Sequence, residues 1–86
     1  MERVRIAVIG AGGIFRGAHL PAYPEIPEAK LIALCDISEQ SLSSSLTAVR
    51  RIYQRKIEEL RQSGDVEIAE QFEKDLEELT TYRDYK

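Results

Sequence analysis

Apolar positions follow two rhythms along this chain, and the rhythm changes once, near residue 37. Val4 to Ile9 is a short apolar run rich in β-branched side chains and ended by Gly10; Lys30 to Cys35 is a second, ended by Asp36. Short continuous apolar runs bounded by turn formers predict strands buried on both faces, as in a parallel sheet. Between them Ile14 to Tyr23 can hold a short helix. Pro21 must start a new turn there or kink an existing one, because it has no backbone N–H to donate. Pro24 and Pro27 close the segment. Strand, helix and strand in about 33 residues predict a β-α-β unit with a right-handed crossover.

From Ser38 onward the period is helical. Leu42, Leu46, Val49, Tyr53, Ile57 and Leu60 recur at steps of three and four, which puts them on one stripe. Ser63-Gly64-Asp65 is the only clear break. Gly64 suits the left-handed position just past a helix end, and Asp65 suits the N-cap of the next helix. Val66, Ala69, Phe72, Leu76 and Leu79 then continue at helical spacing to about Thr80. The alternatives are an antiparallel hairpin and one continuous helix that tolerates the glycine at a cost of roughly 1 kcal/mol. A glycine followed by a capping aspartate is a stop-and-restart signal and favours the hairpin.

Charge adds a register to that hairpin. Residues 38–61 carry five Lys or Arg against three acids, and residues 62–86 carry three against eight. Folding back therefore lays a basic helix along an acidic one, with Arg55 and Lys56 expected near Glu73, and Arg50 or Arg51 near Glu77. Net charge over all 86 residues is −3, which argues against a nucleic-acid partner. Cys35, the only cysteine, lies in an apolar run and reads as a buried small hydrophobe rather than a reactive thiol. One histidine and one cysteine make no metal site. No run approaches the roughly 18 apolar residues of a membrane span, and no signal-peptide pattern opens the chain. The expected location is the cytoplasm. A domain this small, with open strand edges, is expected to form a homo-oligomer.

The motif that carries chemistry is IAVIGAGGIF followed by LCD. Gly10-Ala11-Gly12-Gly13 comes straight after a predicted strand and opens a predicted helix. In a dinucleotide site Gly10 permits the tight turn out of the strand, and Gly12 lets the backbone approach a pyrophosphate. The backbone N–H groups around Gly13 and Ile14 point at the anion, aided by the helix dipole. Asp36, 26 residues after Gly10, stands where a carboxylate accepts hydrogen bonds from ribose hydroxyls and repels a 2′-phosphate, favouring NAD over NADP. The bland alternative is a tight turn and a capping aspartate, but strand, helix, second strand and acid all fit the fingerprint. A mononucleotide site is disfavoured, because no Walker lysine follows the glycines. One position departs: Phe15 stands where a third small residue is expected, so the helix stands further from the strand or the ring turns toward the cleft. The expected fold class is α/β, with a partial Rossmann β-α-β start over 1–37 and a helical segment over 38–86.

The stretch RVRIAVIGAGGIFRGAHLPAYPEIPEAKLIALCD resembles the N-terminus of the Gfo/Idh/MocA oxidoreductases, the glucose-fructose oxidoreductase and inositol 2-dehydrogenase family. The glycine turn, HLPAY, a proline-bounded link and a strand ending in Asp form a specific combination, over residues 3 to about 37. The resemblance implies NAD(P)-dependent oxidation or reduction of sugars, polyols or related secondary alcohols. It places Gly10, Gly12, Gly13 and Ile14 on the pyrophosphate and Asp36 on the ribose. The helical stretch after Asp36 is longer than the family's single helix. The family's Glu-Lys-Pro motif, and its substrate domain with a catalytic histidine, have no counterpart in these 86 residues. The family's third strand is expected to begin soon after TTYRDYK. The chain is thus expected to be a fragment, inactive by itself, with no catalytic residue assigned. His19 matches the HLP motif and reads as a packing or cleft-lining residue. The competing expectation is a non-catalytic helical self-association module that retains a vestigial cofactor turn.

Overall fold

Two strands flank β2 (Ala29–Cys35): β1 (Val4–Ile9) on one side and β3 (Thr80–Tyr82) on the other, all three parallel. Helices α1 (Glu39–Gln62) and α2 (Val66–Glu78) follow β2 and lead into β3, giving an α/β architecture. The computed structural model describes residues 3–10 and 15–82. Ile6, Val8, Leu31 and Leu34 pack with Leu42, Val49, Tyr53, Ile57, Leu60, Ala69 and Phe72 into one core. The pairing of β1 with β2 slips by one residue between Ile6 and Ala7, so that Ile6 faces Leu31 and Ala7 faces Ala33. None of the helices of the described residues is long and apolar enough to cross a membrane.

Burial on both faces, expected of both apolar runs, holds for β2 but not for β1. Val4 and Ile9 are 64% and 65% exposed. The reason is position: β2 is the middle strand, whereas β1 is a sheet edge paired only with β2 among the described residues. The third strand was not in the helical reading of residues 38–86. α2 stops at Glu78, Leu79 turns to extended backbone, and Thr80-Thr81-Tyr82 pairs along Ala33 to Cys35. β-Branched and aromatic side chains suit that pleated surface better than another helical turn. A short strand thus lies at Thr80–Tyr82, inside the span expected to be helical.

The crossover from β1 to β2 is not one regular α-helix. A π-helical turn (Phe15–His19) runs into a 3₁₀ helix (Leu20–Glu25). Pro21 sits in the first turn of the latter, where its missing N–H costs nothing, so it starts a turn rather than kinking one. Ser38 caps α1, its Oγ accepting from the Ser41 N–H at 3.2 Å. At the far end Gly64 adopts φ +90, the Asp65 N–H donates to Leu60 O at 2.8 Å, and the Gly64 N–H donates to Arg61 O at 3.2 Å. That pair of bonds is a Schellman ending and satisfies carbonyls the helix would otherwise leave open. Asp65 occupies the N-cap of α2, but its side chain accepts from Ser63 Oγ instead of capping the helix.

α1 and α2 meet through the Tyr53 and Phe72 rings, packed edge to face with centroids 5.3 Å apart. The ion pairs differ from the expected register. Glu73 pairs with Arg61, and Lys56 turns away to Glu25 on the crossover. Arg50 lines a surface groove together with Glu73 and Glu77, which places it near Glu77 as expected. Val66, expected on the apolar stripe, is exposed at the start of α2, and Asp75 is buried instead. Asp75 receives a bidentate pair from Arg3, Nη1 to Oδ1 at 2.9 Å and Nη2 to Oδ2 at 2.7 Å. Arg3 also donates to Pro27 O and Ala29 O, so one guanidinium ties α2 to the entry of β1 and the turn before β2. The hydrogen bonds with Asp75 raise the Arg3 pKa further above its usual value.

Two predictions follow from this packing. Asp75→Ala removes both carboxylate bonds from a partly buried guanidinium that two carbonyls still hold, and should cost about 1.5–3 kcal/mol. Urea denaturation checks it; a loss below about 1 kcal/mol would mean the clamp does not hold α2. The Tyr53 hydroxyl is buried with no hydrogen-bond partner among the described residues, and burial, followed by the Asp75 charge, pushes its pKa up to about 12. The unfolded phenol ionises near pH 10 while the folded one keeps its proton, so stability present below pH 10 falls as pH rises toward 12. Tyr53→Phe should be neutral or stabilising at pH 7 and should flatten that alkaline loss of stability.

Candidate functional site

At the carboxyl ends of the strands the backbone ladder runs one residue past β1. Gly10 leaves the strand at φ +75, in the left-handed region that disfavours residues with a Cβ. Its N–H donates to Cys35 O at 2.8 Å. On the other side of β2 the Asp36 N–H donates to Tyr82 O at 3.0 Å. The glycine that opens the turn and the residue before the acid are thus hydrogen-bonded neighbours. Asp36 follows at once.

The Asp36 side chain is held by the entry to α1. Its Oδ1 accepts the Ser38 N–H at 2.8 Å, and Ser38 in turn caps the helix. Oδ2 has no hydrogen-bond partner among the described residues, and Asp36 is half-buried. Ile37 beside it is 70% exposed. Gly12, Gly13 and Ile14, the other expected cofactor contacts, lie outside the described residues. Of the five expected site residues, Gly10 and Asp36 are placed, and they stand at adjacent strand ends.

A groove of about 440 Å³ runs along β1 from Ile6 to Gly10 and is lined across by Phe15, His19 and Tyr23. His19 is exposed and lines this groove, the cleft-lining one of its two expected roles. Phe15 is buried at 4% exposure, with its ring centroid 6.1 Å from that of Tyr23. Phe15, which stands where the fingerprint has a small residue, opens the π turn and packs into the core. Cys35 is buried, as its apolar setting implies.

Arg16 is the residue that pattern reading missed. Its Nη1 donates to Ser41 O at 3.3 Å and to Ser45 Oγ at 3.4 Å, tying the segment after the glycine turn to the first turns of α1. Those partners lie 25 and 29 residues away, beyond any local spacing. Among the described residues, no group of His, Cys, Asp and Glu is arranged to hold a metal ion.

No protein-family model, curated protein or solved structure matches the chain. What speaks for a function is local: a left-handed glycine at one strand end and a half-occupied carboxylate at the next.

Among the described residues nothing lies within 4 Å of where a Cβ on Gly10 would stand, so the cost of a side chain there is argued from backbone conformation. Gly10→Ala should lower stability by about 1–2 kcal/mol, the penalty of a left-handed backbone for an L-residue. Thermal or urea unfolding measures it. An unchanged midpoint would mean that the chain does not leave β1 through a left-handed turn.

Proposed function

We propose that this chain is the NAD-binding start of an oxidoreductase acting on sugars, polyols or related secondary alcohols. The observation that carries the reading is the Gly10 N–H bonded to Cys35 O, which sets the glycine turn beside Asp36. Parallel strands in the order β1-β2-β3 support it, because one half of a doubly wound dinucleotide fold has β2 between β1 and β3. In this reading α1 and α2 form an antiparallel hairpin that covers that half. The left-handed Gly64 turn, the Tyr53–Phe72 ring contact and the Arg61–Glu73 pair support that orientation.

The residues present fit a dinucleotide. Among the described residues, none crowds the Cβ side of Gly10, and Asp36 Oδ2 has no hydrogen-bond partner. NAD, when bound, supplies the carbon that gains or loses hydride. The part of this chain is to hold and select. Gly10 turns the backbone out of the sheet, and the N–H groups of Gly12, Gly13 and Ile14 serve the pyrophosphate. Asp36 Oδ2 accepts a ribose hydroxyl, while its charge disfavours a 2′-phosphate. The chain assigns no acid or base to the hydride step and is not a catalyst by itself.

A second reading, self-association without cofactor, draws support from the exposed Val4 and Ile9 on the edge of β1, where a strand of a second copy could pair. Calorimetric titration of the purified chain with NAD and NADP separates the two. Saturable NAD binding, with NADP weaker, is expected. Asp36→Ala should narrow the preference about tenfold, equivalent to ~1.4 kcal/mol. NADP binding as tight as NAD would overturn the cofactor assignment. A silent titration with helicity that rises with protein concentration would favour the second reading.

A further inference from the structure

We draw no further inference here: the strongest candidate, the apolar groove along the outer edge of β1 rimmed by His19 and Tyr23, adjoins the site already described, and nothing in the structure shows what covers it.

Discussion

β2 is hydrogen-bonded on both sides, and the candidate site depends on that double pairing. A parallel strand in the middle of a sheet passes its register to both neighbours, and past the one-residue slip at Ile6 and Ala7 the β1–β2 pairing runs in step from Ala7 to Ile9. Here the ladders end one residue apart, at Gly10 N–H to Cys35 O and at Asp36 N–H to Tyr82 O. The first sets where the glycine turn begins. The second anchors the acid's backbone, so that only its side chain remains to be aimed. Ser38 does the aiming, and the same residue caps α1, which begins at Glu39. Sheet register, helix entry and carboxylate direction are therefore one coupled constraint.

The layer that supports this arrangement is thin for its task. A chain of 86 residues buries a smaller share of its surface than larger domains do, and few residues can fail without cost. The α1–α2 pair contributes rings and aliphatic side chains to the core. The surface ion pairs Lys56–Glu25, Arg61–Glu73 and Lys30–Glu78 each add little, because solvent screens them. Arg3 differs. Its guanidinium is held by a carboxylate and two carbonyls, and it joins the entry of β1 and the turn before β2 to α2. Holding α2 in place also fixes where β3 can start, since only Leu79 separates the two elements.

Much of the local structure was legible in the residues. The two apolar runs gave the paired strands, and the three-and-four spacing gave both helices. Gly64 marks their boundary, and the spacing of Gly10 and Asp36 points to the two strand ends that Gly10 N–H to Cys35 O joins. What stayed hidden is long-range or short. Three residues after a helix carry too little pattern to announce β3. The exposure of β1 depends on sheet order, which apolar content does not encode. The π and 3₁₀ turns of the crossover reflect how Phe15 and the prolines pack, not a period. Arg3 and Asp75 are 72 residues apart, and no window spans them. The ion pairs of α1 shifted because Lys56 found Glu25 on the crossover, an element absent from any two-helix view.

The central claim is that the turn glycine and the acid are set side by side by the ladders of β2. Scalar coupling across hydrogen bonds, measured by NMR on isotopically labelled chain, tests it directly. Coupling from the Gly10 amide nitrogen to the Cys35 carbonyl carbon, and from the Asp36 amide nitrogen to the Tyr82 carbonyl carbon, is the predicted result. A folded chain in which Gly10 and Cys35 show no coupling, while neighbouring β1–β2 pairs do, would contradict it.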